Sequence, residues 1–470
     1  MNRTLISRRD VLARTGCGFG LLALADLLAR IVPATRAGEP DRAARPYAVR
    51  APHHLARAKR VIFLYMPGGP SHVDLFDPKP RLAKESGQPL PFEKPKLERT
   101  KTGNLLPSPW KFARHGESGI EVSELLPRVA SRIDDICVIR SMLADNINHT
   151  GAALQMCTGE QAFSRPSMGS WLTYGLGTEN QNLPGFVVVS PAAVFQGAQL
   201  WASSFLPSAY QGTLVRDLQN PIANLGDPLG DLERQRTKLD ALLRLNNIHQ
   251  QDRVIDSQLE ARIASFELAF RMQREAPEAF DLSRESEVTH KLYGTDQPVT
   301  ELFGRQCLLA RRLVERGVRF VQLFDAPENN AWDHHTDLKD RLPKRCQAVD
   351  QPITGLLTDL KSRGLLDDTL VLWGGEFGRT PTAEGDNGRE HHPFGFTMWM
   401  AGGGIRGGMV YGATDEYGWH ARDNIVHVHD LHATILHLMG LDHERLTYRH
   451  GGRDYRLTDV FGSVVREIIV

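Results

Sequence analysis

Between positions 369 and 376 the chain reads Thr369-Leu370-Val371-Leu372-Trp373-Gly374-Gly375-Glu376, an uncharged, largely apolar run that stops abruptly at two glycines and a carboxylate. A run this apolar does not fit a strand with one face in water; it fits a strand covered on both faces, as in a parallel sheet flanked by helices. Val61-Ile62-Phe63-Leu64-Tyr65-Met66, Ile136-Cys137-Val138-Ile139-Arg140 and Val318-Arg319-Phe320-Val321-Gln322-Leu323-Phe324 have the same character. Stretches of helical spacing at 122–132, 301–316 and 348–361 lie between them. The alternation of helix, glycine and strand predicts an α/β chain with a mostly parallel central sheet.

In such sheets ligands gather beyond the C-terminal ends of the strands, where loops from several strands converge. The sequence places its polar clusters there. His72, Asp74 and Asp77 follow the first strand through Pro67-Gly68-Gly69-Pro70, a stretch that forces a sharp turn and lets backbone come close to a ligand. Asp77, before Pro78, reads as a turn cap. Asn148 caps a helix that runs to Thr158-Gly159, which sets His149 and Thr150 at an N-terminus favourable to an anion. Trp332-Asp333-His334-His335-Thr336-Asp337 follows the third of these strands, and Glu376 and Arg379 follow the fourth. His391 and His392 precede a further apolar run at 396–400. Carboxylates and imidazoles on neighbouring loops are the donor types of a divalent metal site.

The first forty residues differ from the rest. Ser7-Arg8-Arg9-Asp10-Val11-Leu12 precedes an apolar stretch at 16–28, and small residues follow near Ala37. This order resembles a twin-arginine export signal, here residues 1–37, followed by an Arg-, Ala- and Pro-rich linker at 38–59. It implies delivery by the twin-arginine export machinery to the periplasm or outside the cell. Asp26 and Arg30 interrupt the stretch, which is too short and polar for a stable membrane span. Acidic and basic residues balance at 56 each, so no net charge draws the chain to nucleic acid.

Leucines at helical spacing from 227 to 275 predict two amphipathic helices, a helical insertion at about 225–280. Gly402-Gly403-Gly404-Ile405-Arg406-Gly407 has the spacing of a dinucleotide loop, but no helix follows to supply the phosphate site. Cys137, Cys157, Cys307 and Cys346 lack ligand spacing and read as buried small hydrophobes.

Four features together resemble the alkaline phosphatase and sulfatase superfamily. The 149–159 helix is similar to its nucleophile helix, and Trp332-Asp333-His334-His335 to its Asp-and-His ligand loop. Glu376-Phe377-Gly378 stands where those enzymes carry Asp-His-Gly, with His391 or His392 resembling a later ligand histidine. The 430–440 helix is similar to the terminal helix of sulfatases. More narrowly, residues 60–460 are identified as a member of the domain of unknown function 1501 family. The marks are Gly68-Gly69-Pro70-Ser71-His72, Asp77-Pro78-Lys79-Pro80, Asn148-His149, Arg165-Pro166-Ser167-Met168-Gly169 and Gly375-Glu376-Phe377-Gly378-Arg379-Thr380-Pro381.

The resemblance implies an alkaline-phosphatase-like sandwich over 60–470, with a mostly parallel central sheet flanked by helices, carrying a divalent metal ion such as zinc, calcium or manganese. It implies hydrolysis of a phosphate or related ester, of a small molecule or a polysaccharide. Asp333, His335, Glu376 and His392 are the expected ligands, with His391 the alternate to His392 and with His72 and Asp74 as further candidates. The chain departs from the pattern at His149, which fills the nucleophile slot, and at Phe377, where a ligand histidine is absent. His149 is therefore expected as a ligand, a general acid or base, or a nucleophile. Thr150 is the competing nucleophile, and Arg379 a bidentate anion clamp. The rival expectations are a secreted binding protein that kept the fold and lost the chemistry, and a metal-dependent mutase.

Overall fold

The computed structural model describes residues 46–94, 101–218, 221, 232–251 and 257–470. The segment expected to be an export signal, residues 1–37, and the first part of the expected linker lie outside the described residues. Strands β1 (Arg60–Tyr65), β2 (Ile136–Leu143), β3 (Phe186–Val189), β4 (Thr213–Val215), β5 (Phe320–Phe324), β6 (Thr369–Gly374), β7 (Phe396–Ala401) and β8 (Met409–Tyr411) form one sheet. Their order is β8-β2-β7-β6-β1-β5-β3-β4, and β9 (Val426–His427) also pairs with β2. Every pairing is parallel except those of β7, which runs antiparallel to β2 and β6. The fully apolar runs of the sequence are the central strands of this sheet.

The principal helices are α1 (His149–Thr158), α2 (Met168–Leu176), α3 (Leu232–Gln251), α4 (Ser257–Phe280), α5 (Glu301–Glu315), α6 (Leu338–Ser362) and α7 (Val428–Leu438). Alternation along each strand divides the core into two layers. Ile62, Leu64, Val321, Leu323 and Trp373 pack with α5 and α6 on one face. Val61, Phe63, Tyr65, Phe324 and Leu372 pack with α1, α2 and α7 on the other. Helices on both faces explain why strands without a polar side can exist here. The four cysteines of the described residues are free and buried.

Three expectations change. The predicted helix at 122–132 is instead a strand at Ile120–Ser123 and one helical turn at Pro127–Ala130. Ile120 and Val122 are buried on one side of a hairpin with Phe112–His115, so the period is two rather than 3.6. Helix α6 begins ten residues before the predicted start, because Leu338, Leu342 and Cys346 extend the buried stripe of Val349, Ile353 and Leu356. Residues 46–59, expected as a linker, are irregular but docked. Arg50 N–H donates to Leu176 O, and His53 and Ala58 N–H donate to Gly440 O and Leu438 O, satisfying carbonyls at the ends of α2 and α7. The segment expected as an insertion contains helices α3 and α4, and α4 sets Leu268, Met272, Ala276 and Ala279 into the core beside α5. No helix among the described residues is long and apolar enough to cross a membrane.

Candidate metal centre

Strands β1, β2, β5 and β6 point the same way, so the loops after them open on one rim, and antiparallel β7 brings the residues before it to that rim as well. His149 comes from the first residue of α1, Asp333 and His335 from the loop after β5, and His391 from the segment before β7. One ligand atom from each of these four lies within 4.8 Å of every other. The close approach is set by glycines. Gly68 has φ +113°, and a Cβ there would stand 2.5 Å from Asp333 N; a Cβ on Gly388 would strike the His335 carbonyl.

The hydrogen bonds orient each ring. His149 Nδ1 donates to Glu376 Oε1 over 2.7 Å, and His391 Nδ1 donates to Ile147 O over 2.8 Å. His335 Nδ1 is in close contact with the Glu384 carboxylate. Carbonyl and carboxylate oxygens only accept, so each of the three rings carries a proton on Nδ1 and turns Nε2 toward Asp333 and the other rings. His335 Nε2 and His391 Nε2 are 3.0 Å apart. They lie 2.9 and 3.4 Å from Asp333 Oδ1, and His149 Nε2 lies 3.2 Å from Asp333 Oδ2. His149 Nε2 is buried and has no hydrogen-bond partner. Lone pairs facing each other and a carboxylate repel, so this arrangement is held together only by a shared proton or a cation. A histidine whose second nitrogen is fixed by a carboxylate or carbonyl is the form in which metal-binding imidazole occurs.

The surroundings fix the carboxylates too. Glu376 receives Gly68 N–H at 2.9 Å and the Tyr65 hydroxyl at 3.0 Å. Burial and the Glu376 charge push the Tyr65 pKa well above its usual value, so it stays a donor. Arg379 is buried and spends its guanidinium inward, on Gly69 O at 3.0 Å, Arg389 O at 3.0 Å, Gly68 O, and Asp333 Oδ1 at 2.5 Å. Desolvation opposes ionisation of Asp333, but Arg379 and the three histidines outweigh it and hold the carboxyl far below the usual range. His149 is pulled down by burial, yet Asp333 and Glu376 raise its pKa overall. His391 is lowered to about 4 by burial, against the pull of Asp333 and with the Arg379 and His149 charges adding to the fall. The exposed ring of Phe195 lies parallel to His149, centroids 6.1 Å apart, an apolar wall beside the cluster.

The structure thus brings together four residues that the sequence singled out, His149, Asp333, His335 and His391. Glu376 stands behind His149 as its hydrogen-bond acceptor rather than in the cluster. His72, Asp74 and His392 are also outside it. Asp74 makes a fully buried ion pair with Arg389, at 2.7 and 3.0 Å, and accepts from Ser71. His72 Nε2 donates to Gly418 O at 2.9 Å and His392 Nε2 to Trp419 O at 2.5 Å, the two rings lying parallel 6.1 Å apart. Thr150 is exposed, its N–H donating to the Asn148 cap. With its donors committed to protein oxygens, Arg379 does not present a fork to an anion. Sequence reading missed Glu384 and Glu390, which with His335 form a second group of possible donors. Glu390 directly precedes His391, and that adjacency was the one available signal.

A cluster of this kind at the C-terminal rim of a helix-flanked parallel sheet defines an α/β protein with a candidate metal centre. The chain belongs to the family described as "Protein of unknown function (DUF1501)", which matches residues 58–469. No curated protein matches it. Among solved structures it is similar to the lipoteichoic acid synthase LtaP from Listeria monocytogenes, with 11% identity, 86% of this chain and 78% of that chain covered, and a TM-score of 0.35. It is similar to the alkaline phosphatase of the Antarctic bacterium TAB5, with 10% identity, 83% and 99% covered, and a TM-score of 0.35. For the PsFucS1 sulfatase from Pseudoalteromonas sp. the figures are 14% identity, 67% and 62% covered, and 0.32. At these identities the likeness is one of chain arrangement alone.

Proposed function

We propose that this protein is a metal-dependent hydrolase of phosphate or related esters, sulfate esters included, exported by the twin-arginine route. The observation that carries the reading is the convergence of three imidazole Nε2 atoms and the Asp333 carboxylate, each oriented by a second hydrogen bond or charge. His149, Asp333, His335 and His391 would hold the ion. An imidazole-rich set suits zinc-like transition ions better than calcium, which takes oxygen ligands. When bound, such an ion supplies a water of lowered pKa and polarises an ester oxygen. Glu376 keeps the His149 ring in the tautomer that offers Nε2, Arg379 keeps Asp333 ionised and aimed, and Phe195 sets an apolar ring beside His149. His149 acts here as a ligand rather than a nucleophile, since Glu376 holds its Nδ1 and its Nε2 faces Asp333 and the other two imidazoles. Elemental analysis of the exported protein, paired with an ester screen, tests the reading. About one ion per chain and turnover lost in His391→Ala are expected; a protein without metal overturns it.

A second reading, a secreted binding protein without catalysis, is favoured by one observation. Among the described residues no cysteine belongs to the cluster, and Arg379 spends its guanidinium on protein oxygens. Stoichiometric metal with no turnover on any ester would select it.

A further inference from the structure

The described residues contain a cavity of about 210 Å³ at the opposite end of the sheet from the histidines. Phe186, the first residue of β3, and Thr213, the first of β4, line its floor. These strands run parallel to β5 and β1, so the cavity lies at N-terminal strand ends and the metal cluster at C-terminal ones. Tyr47 of the docked N-terminal segment forms one side, Tyr210 another, and Met272 of the inserted helix α4 closes it. Helix α4 thus supplies a wall that the sheet and its flanking helices do not.

The lining has one chemical character. No Asp, Glu, Lys, Arg or His belongs to it. Two cations stand outside the lining: Arg50 touches the Tyr210 hydroxyl at 3.4 Å and spends its other donor on the Pro46 and Tyr174 carbonyls, both at 3.2 Å, and Arg271 donates to Gln181 O at 2.9 Å. Burial pushes the Tyr47 pKa up to about 12, so that side chain is neutral. Three aromatic rings, Tyr47, Phe186 and Tyr210, stand among hydroxyl groups such as Ser208 and Thr213. An uncharged lining that combines aromatic side chains with hydroxyl groups suits a ring with C–H faces and a rim of hydroxyls. The volume falls below the roughly 300–1,000 Å³ of sites for drug-sized ligands, which limits the occupant to one ring.

We propose that this cavity is a binding site for a single uncharged, hydroxyl-bearing ring, the chemistry of one neutral sugar residue, separate from the metal cluster. The site does not depend on the hydrolase reading, and its test is run on metal-loaded and chelator-stripped protein so that the two fail independently. The full chain is titrated with D-glucose, D-galactose, N-acetyl-D-glucosamine and maltose, with D-glucuronate as the charged counterpart, followed by saturation-transfer NMR and calorimetry. At least one neutral sugar is expected to bind with a Kd on the order of 1 mM, and D-glucuronate about tenfold or more weakly. Maltose binding as well as glucose marks the end of a chain as the occupant; glucose alone marks a free sugar, and either supports the site. Met272→Trp fills the cavity and should abolish binding with metal content unchanged. Ser208→Trp, at the exposed lip, should do the same if Met272→Trp does not fold. No neutral sugar bound at about 20 mM, glucuronate bound equally well, or binding that survives both substitutions overturns the proposal.

Discussion

His391 and His392 are neighbours in the chain, and the structure puts them in two different worlds. His391 joins His149, His335 and Asp333, where the Nδ1 nitrogens are held from behind and the Nε2 atoms face one another. His392 joins His72, beside the Asp74–Arg389 pair, where each Nε2 is handed to a backbone carbonyl and the Nδ1 atoms are buried among neighbours. Burial lowers His392 to about 3, with His72 adding to the fall, so this second group is neutral packing. His149, between two carboxylates, moves the opposite way. Residue type and position at a strand end are the same in both regions. What separates them is which atoms remain turned toward a common point.

That contrast can be broken by substitution. The largest effect is expected for Asp333→Asn, which removes the one anionic member of the cluster. Metal affinity by calorimetry should fall about a thousandfold or more, a difference of ~4 kcal/mol. Asp74→Ala should leave metal content per folded chain unchanged but destabilise the fold by about 3–5 kcal/mol, because it strands a buried guanidinium. Chemical denaturation measures this. If instead Asp74→Ala kept full stability and lost metal, the division into two regions would be wrong.

A third test concerns the loop that carries Asp333. Asp325 is buried, accepts from Trp332 Nε1 at 2.8 Å, and burial raises its pKa from 3.8 to about 6 against the pull of Arg345. The folded pKa lies above the unfolded one, so its contribution is full below pH 4 and is lost as pH rises through 6. The stability difference between wild type and Asp325→Asn should therefore shift by about 3 kcal/mol across that window, in favour of the variant at high pH. Denaturation at pH 4 and pH 7 checks it. Glu376→Gln, which weakens the hold on His149 Nδ1, should cost about 10–100-fold in metal affinity. His392→Phe should change metal content least of all; a loss there would move His392 into the centre.

The sheet was readable because its central strands are apolar on both faces, and only a doubly covered strand tolerates that. His149 was readable from its cap, and Asp333 and His335 from their place after a strand. The choice between His391 and His392 was not. They form a two-residue ladder with Gly378 and Arg379, His391 opposite Arg379 and His392 opposite Gly378. Alternation sends the two rings to opposite sides, and nothing local fixes which side is which. Asp74 looked like a ligand until Arg389, 315 residues away in the chain, was seen to neutralise it. Glu376 was recognised as important, but its place behind His149 rather than in the cluster depends on Tyr65 and Gly68 meeting it across the sheet.

The most direct test of the centre is X-ray absorption at the zinc edge on zinc-loaded full-length protein. Three imidazole nitrogens and one carboxylate oxygen at about 2.0–2.1 Å are predicted, with one imidazole lost in His391→Ala. An oxygen-only shell, or one unchanged by that substitution, would contradict the account.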